Sequence, residues 1–288
     1  MTPRLLRYAA FSRHPDGGNP AGVWIGQTLP AAAEMQAIAA RIGYSETAFV
    51  AARAAAGRRE VRYFSPAAEV PFCGHATIAA AVALGDLGEG GRQRLQTTVG
   101  EVRVAVSMRD GARMATLVSV PPRHGPAPEA LLGSALAALR WRADELDPAI
   151  PPALAFAGAW HLVLAARKRQ RLARLDYDFE ALRAIMLAHD LVTLQLVWRD
   201  SGTVFHARNP FPVGGVIEDP ATGAAAAALG GYLRDAGLLA APARIRIRQG
   251  EDMGRPGLLE VDIPARGGIA VSGHAVPIPP APSPGDPR

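Results

Sequence analysis

Hydrophobic and polar positions alternate along the chain in short runs, so the pattern reads as strands interleaved with helices rather than one long periodicity. Leu5 to Phe11 and Ala21 to Ile25 read as strands around a polar turn, His14-Pro15-Asp16-Gly17-Gly18-Asn19-Pro20. Pro30 to Ile42 carries helix formers at helical spacing, and Gly43 is placed to end that helix. Tyr44 to Val50 reads as a strand whose alternation puts Glu46 on the face of Ala48 and Val50. A carboxylate there is the strongest single anomaly in the chain, because burying it without a partner is costly. Val61 to Phe64, Val102 to Ser107 and Ala115 to Val120 add strands, and Ala76 to Leu84 is an alanine-rich helix. Beyond Pro121-Pro122 the mixture recurs, with strands at Trp160 to Ala165, Val192 to Trp198, Arg244 to Arg248 and Leu258 to Val261. Helices are expected at Phe179 to Ala188 and Thr222 to Ala236.

The expected architecture is therefore α/β with two lobes, residues 1–120 and 121–276, with the last strand able to return to the first lobe. The proline-dense residues 277–288 read as a disordered tail. Ala76 to Gly85 aligns without gaps on Ala221 to Gly230 with eight of ten positions identical, at an offset of 145 residues. Each copy offers a threonine, Thr77 or Thr222, able to cap a helix, and a glycine, Gly85 or Gly230, able to stop one. Two such helices starting at one cleft would present backbone N–H groups and a partial positive charge to an anion or carboxylate.

Composition narrows the function classes. The chain is 49% hydrophobic and 20% charged, which fits a packed globular protein. Its net charge of +5 is spread thinly, and the dense run Arg167 to Arg171 reads as a solvated face rather than a nucleic-acid site. One cysteine, Cys73, cannot form an intramolecular disulfide, and no run approaches the roughly 20 apolar residues of a membrane helix. The cytoplasm is the expected address, with no nucleic-acid or membrane partner. No pair among the seven histidines has a close ligand spacing, so no metal is expected.

Three segments concentrate unusual polar residues: Tyr44 to Thr47, Pro71 to Thr77 and Glu218 to Gly223. An imidazole, His75, and a carboxylate, Asp219, beside helix starts can hold substrate polar groups and move protons. Read singly, Asp219 could equally be a cap, and His75 a satisfied core residue.

The chain resembles the PhzF-like phenazine-biosynthesis isomerase family, which has a diaminopimelate-epimerase-like fold. The resemblance runs through Phe11 to Val23 with Gly18-Asn19-Pro20, Tyr44 to Val50, Tyr63-Phe64-Ser65-Pro66 and Val70 to Ala80, then Phe205 to Arg208, Glu218 to Gly223 and Gln249 to Pro256. It implies two pseudo-symmetric lobes, each a curved mixed sheet around a central helix, with the active site between them. It implies cofactor-free proton transfer between carbons of a small, cyclic carboxylic or amino acid, with Glu46 as general acid/base. It gives His75 and Asp219 catalytic places and puts Asn19, Gly74, Thr222, Gly223 and Ala224 in contact with substrate, Ala224 standing where the family has a serine. A homodimer is compatible with it. Two alternatives remain at this level: a thiol-assisted epimerase using Cys73, and a small-molecule binder that has lost turnover.

Overall fold

The computed structural model describes residues 2–52 and 57–279. They fall into two compact units, one ending at Met114 and rejoined by the chain from His274, the other Ala115–Gly273. The division lies within a strand. The Pro121-Pro122 pair sits inside the second unit, where Pro122 packs so closely on Gly231 that a Cβ there would lie 2.3 Å from its ring. Of the expected tail, Pro277 and Ile278 are ordered: Pro277 ends a strand, and the Ile278 N–H donates to the Arg7 carbonyl. The tail from residue 280 lies outside the described residues.

The first unit contains β1 (Arg4–Ala10), β2 (Asn19–Gly26), α1 (Ala32–Ile42), β3 (Glu46–Ala51), β4 (Arg58–Phe64), β5 (Glu69–Val70), α2 (Gly74–Asp86), β6 (Gly91–Thr97) and β7 (Gly100–Arg109). The strand β8 (Ala112–Val118) leads into the second unit, which contains β9 (Arg123–Pro126), α3 (Glu129–Leu139), β10 (Ala153–Phe156), β11 (Trp160–Ala165), α4 (Arg169–Ala173) and α5 (Phe179–Ala188). It continues with β12 (Leu191–Arg199), β13 (Val204–Phe211), β14 (Val216–Asp219), α6 (Gly223–Asp235), β15 (Ala243–Gln249), β16 (Gly257–Ile263) and the beginning of β17 (Ala270–Pro277).

The two units repeat one pairing order. In the first, β1 and β2 are antiparallel, β2 and β3 parallel, β3 and β4 antiparallel, β4 and β6 parallel, and β6 and β7 antiparallel. In the second, β10, β11, β12, β13, β15 and β16 follow the same sequence. Each parallel step needs a crossover, and helices supply it: α1 and α2 in one unit, α5 and α6 in the other. The small hairpin partners β5 and β14 also correspond.

The pattern of side chains explains which helix lies where. Along β3, Phe49 turns to one face and packs with Trp24, Phe64 and the α1 residues Met35, Ile38 and Ala39. The alternate face, carrying Glu46, Ala48 and Val50, belongs to α2. That helix touches β1, β2, β3 and β7 and is buried on every side from His75 to Gly85, as a helix apolar all round must be. Burial of Ile78, Val82 and Leu84 stabilises it by about 1.5–3 kcal/mol each. In the second unit, Leu162, Leu164, Leu194 and Leu196 pack with α3 and α5, and α6 takes the opposite sheet face.

The repeat needs correcting in register. Both central helices have 13 residues, and their starts, Gly74 and Gly223, and ends, Asp86 and Asp235, are 149 residues apart. The sequence alignment at 145 is thus slipped by four residues, about one helical turn: over Ala76 to Gly85 it gives eight identities of ten where the structural register gives three, so identity between alanine-rich stretches misplaces the equivalence. Gly85 and Gly230 are not helix stops. They lie inside the helices where neighbours crowd: a Cβ on Gly85 would lie 3.0 Å from Arg113 Cδ, and one on Gly230 3.1 Å from Val261 Cγ1. Thr77 is no cap either. Cys73 holds the N-cap position, and the Thr77 hydroxyl donates back to the Cys73 carbonyl at 2.6 Å.

Candidate active site

The start of β3 and the first turn of α2 bring Glu46, Cys73 and His75 together, with Ser45 beside them. β2 and β3 pair in parallel with Ala21 opposite Glu46, which fixes the carboxylate on the α2 side of the sheet. Asn19 lies just before that pairing, buried at the start of β2. Its place depends on Gly18, whose φ of +55° and approach to the Ala10 carbonyl leave no room for a Cβ. At the helix, Thr77 ties down the Cys73 carbonyl and meets the Tyr63 hydroxyl at 2.6 Å. Burial raises the Tyr63 phenol well above its ordinary range, so it stays a neutral partner there.

His75 is the hub. Its Nε2 lies 3.4 Å from Glu46 Oε2 and 3.3 Å from Ser45 Oγ, and its Nδ1 lies 3.3 Å from Cys73 Sγ. Nε2 thus faces the carboxylate and the serine hydroxyl while Nδ1 faces the thiol, each ring nitrogen donating or accepting according to the tautomer. The His75 and Glu46 side chains are 6% and 13% exposed, so the carboxylate is mostly desolvated yet still reachable. No side chain caps α2, and its first-turn N–H groups beside Gly74 remain for a ligand or solvent.

The second unit builds a different cluster at the start of α6. Thr222 is the N-cap, but its hydroxyl does not cap: it donates to Asp219 Oδ2 at 2.5 Å. Gln249, buried at the end of β15, clamps this corner. Its Nε2 donates to the Asp219 carbonyl at 2.8 Å and to Thr222 Oγ1 at 3.1 Å, while its Oε1 accepts from the Thr222 N–H at 3.1 Å. The next residue, Gly250, has φ +83° and would put a Cβ 2.2 Å from the Arg255 carbonyl. Thr222, Gly223 and Ala224 keep partial exposure at the head of an otherwise buried helix.

Asp219 also has a support from behind. It pairs with Asn209 across β13 and β14. Asn209 Nδ2 donates to Thr193 Oγ1 at 3.0 Å, and Thr193 lies 2.8 Å from His161 Nδ1, so the threonine hydroxyl can accept from one and donate to the other. Complete burial pushes the His161 imidazole down to about 4 and keeps it neutral. Glu218, in the same segment, is committed elsewhere: its carboxylate receives a bidentate bond from buried Arg208, with Nε to Oε1 at 2.9 Å.

Of the residues read from sequence, Glu46, His75 and Cys73 thus share one cluster, and Asp219 and Thr222 share another. Gly74 and the Gly223-Ala224 pair sit in the first turns of the two helices. Ser45 lies in the polar segment Tyr44 to Thr47 read from sequence but is given no role there, and Gln249 and the His161–Thr193–Asn209 ladder are not among the site residues read from sequence. Strand pairing brings them in over long separations, although the quoted Gln249 to Pro256 segment contains the glutamine. In the basic run, Arg169 is paired to Asp252 at 2.9 Å and Arg171 to Glu145 at 3.7 Å.

The family model of phenazine biosynthesis-like proteins matches residues 8–279. An uncharacterized isomerase of Bacillus subtilis (strain 168), YfhB, is 31% identical over 94% of this chain and 95% of its own length. The trans-2,3-dihydro-3-hydroxyanthranilate isomerase of Pseudomonas chlororaphis is 30% identical over 93% of this chain and 94% of its own. Among solved structures, a Bacillus anthracis phenazine biosynthesis protein of the PhzF family superposes with a TM-score of 0.85 at 22% identity, covering 97% of this chain and 98% of its own. A hydroxyproline epimerase from Agrobacterium vitis has a TM-score of 0.67 at 13% identity, covering 95% and 90%. These likenesses support the diaminopimelate-epimerase-like fold expected from sequence.

Proposed function

The chain belongs to the phenazine biosynthesis-like family, whose relatives include named isomerases, and from that premise we propose that it is a cofactor-independent isomerase with Glu46 as its proton carrier. The observation that carries this reading is the Glu46 carboxylate at 13% exposure, 3.4 Å from His75 Nε2, beside the uncapped first turn of α2. A base that removes a proton from carbon and returns it elsewhere must be ionised to accept it and acidic enough to release it, and a mostly desolvated carboxylate meets both demands. His75 orients that carboxylate, and the first-turn N–H groups with the helix dipole favour an anionic substrate group. Asp219, Thr222 and Gly223 are proposed to bind polar groups of a substrate.

The substrate class proposed is a small, cyclic carboxylic or amino acid. One relative is named for its action on trans-2,3-dihydro-3-hydroxyanthranilate, and Ala224, where the resemblance implies a serine, argues for a different preference within that class. Restoring the hydroxyl with Ala224→Ser should change affinity for hydroxylated or amino-substituted cyclic acids by about tenfold or more, since a charge-assisted hydrogen bond contributes about 1.5–3 kcal/mol. Identical binding constants across the panel would remove Ala224 from the site.

A thiol-assisted epimerase reading has one observation in its favour, the 3.3 Å contact between Cys73 Sγ and His75 Nδ1. Deuterium uptake from solvent into a panel of cyclic acids separates the two. The Glu46 reading expects uptake with the native chain and Cys73→Ala and none with Glu46→Gln. Uptake lost in Cys73→Ala and kept in Glu46→Gln would replace it with the thiol mechanism.

A further inference from the structure

Counting histidine pairs in the sequence predicts no metal site, yet the fold assembles a mixed donor set that such counting misses. Glu46, Cys73 and His75 each offer one ligand atom, and these atoms lie within 4.8 Å of one another. Around His75 Nε2 the separations are 3.4 Å to Glu46 Oε2 and 3.9 Å to Cys73 Sγ, with Ser45 Oγ at 3.3 Å. Zinc bonds of about 2.3 Å to sulfur and about 2.0–2.2 Å to nitrogen or oxygen, arranged tetrahedrally, set donor atoms about 3.3–3.6 Å apart. The His75–Glu46 edge already fits, the His75–Cys73 edge needs to close by a few tenths of an ångström, and the Glu46–Cys73 edge, within 4.8 Å, by up to about 1.2 Å, which side-chain rotation can supply.

The chemistry of the set is selective. Thiolate and imidazole favour zinc-like, soft divalent ions over magnesium or calcium, and a single carboxylate is too little for either hard cation. The donors come from two rigid elements, the start of β3 and the first turn of α2, and the Cys73 carbonyl is anchored by Thr77, so the site is largely built before an ion arrives. Three protein ligands leave a fourth position, within reach of Ser45 Oγ or of a small-molecule carboxylate.

We propose that Glu46, Cys73 and His75 form a binding site for zinc or a similar soft divalent ion. Occupation ties up the Glu46 carboxylate. If Glu46 is the proton carrier, as argued above, the bound ion is an inhibitor that reversibly silences the isomerase.

Cobalt(II) reports on this directly, because Cys73 is the sole cysteine and any thiolate-to-cobalt charge-transfer absorption must come from it. Titrating the reduced full chain with Co2+ should give that absorption with tetrahedral d–d bands, saturating at one ion per chain and displaced by one equivalent of Zn2+. Cys73→Ser should abolish the charge-transfer band. Glu46→Gln should weaken Co2+ binding by at least about tenfold, since even residues that only support metal ligands contribute 10–100-fold to affinity. Absence of the thiolate band in the native chain, or unchanged Co2+ affinity in Glu46→Gln, would overturn the site. Stoichiometric zinc should also stop deuterium uptake by the native chain. Uptake that continues with zinc shown spectroscopically to be bound would leave the metal site standing and overturn instead the assignment of Glu46 as proton carrier.

Discussion

The first turns of α2 and α6 occupy the same place in two identical pairing orders, yet they are furnished differently. At α2 the helix start meets a carboxylate, an imidazole and a thiol, with the carboxylate partly open. At α6 the nearby carboxylate, Asp219, already takes the Thr222 hydroxyl, and Gln249 fills the remaining corner. On the reading proposed above, one start moves a proton and the other binds polar groups of a substrate. If so, a repeated scaffold separates chemistry from recognition by changing a few residues at a helix head, because the buried helix and sheet behind it supply the positioning in both cases.

The hairpins preceding those helices sharpen the comparison. Arg62 and Glu69 join β4 to β5, and Arg208 and Glu218 join β13 to β14, each by a bidentate bond. The first pair lies at 27% and 31% exposure, the second at 10% and 4%. Removing one partner of a buried pair leaves the other charge stranded, so Glu218→Gln should cost about 3–5 kcal/mol in urea unfolding. Glu69→Gln should cost only about 0–1 kcal/mol. The hydrogen bond from Arg62 holds the Glu69 carboxyl below its usual range, so its small contribution is present above the ordinary glutamate pKa and fades as acid protonates the folded form. Equal losses for the two variants would dissolve the distinction.

Acid should also separate the units. His161 titrates near 4 when folded and near 6.5 when unfolded, so between those values the unfolded chain binds more protons and stability falls as pH falls. The loss amounts to about 3 kcal/mol by pH 4. Amide hydrogen exchange should accelerate in β11 to β13 over that interval, after correction for intrinsic rates, more than in β2 to β4. Parallel behaviour of both segments would mean that the ladder behind Asp219 is not what burial makes it.

The helix-interior glycines give the smallest contrast. A methyl on Gly230 meets three stiff β-branched side chains, Val261, Ile269 and Ile263, whereas one on Gly85 meets a single one, Val106 at 3.2 Å, and otherwise the flexible Arg113 chain. Gly230→Ala should therefore lower stability by about 1–3 kcal/mol. Gly85→Ala should be near neutral, since alanine's helix propensity returns about 1 kcal/mol. Thermal melts of the two variants check this, and the opposite ranking would contradict the packing described.

Much of this frame is legible in the chain. Phe179 to Ala188 emerges from periodicity because that helix is amphipathic, and the Gly43 stop from glycine placement because α1 ends on a left-handed residue. The charge-rich β6 and the proline-containing β13 and β17 do not, since each is specified by its sheet neighbours rather than by its own alternation. α3 is passed over although Pro128 and Glu129 at its start, with Leu131, Ala135 and Leu139 following, make a readable signature. At the site, Glu46, His75 and Asp219 stand out as polar anomalies in apolar segments. Ser45 and Gln249 look ordinary until strand pairing and the turn at Gly250 place them, which no local pattern encodes.

The division between chemistry at one helix head and recognition at the other is tested by measuring substrate binding and solvent deuterium exchange side by side in Glu46→Gln and Asp219→Asn. Glu46→Gln should keep binding and lose exchange by about 10²–10⁴-fold. Asp219→Asn should weaken binding while exchange at saturating substrate persists. Exchange that survives in Glu46→Gln and vanishes in Asp219→Asn would place the proton transfer at the wrong helix.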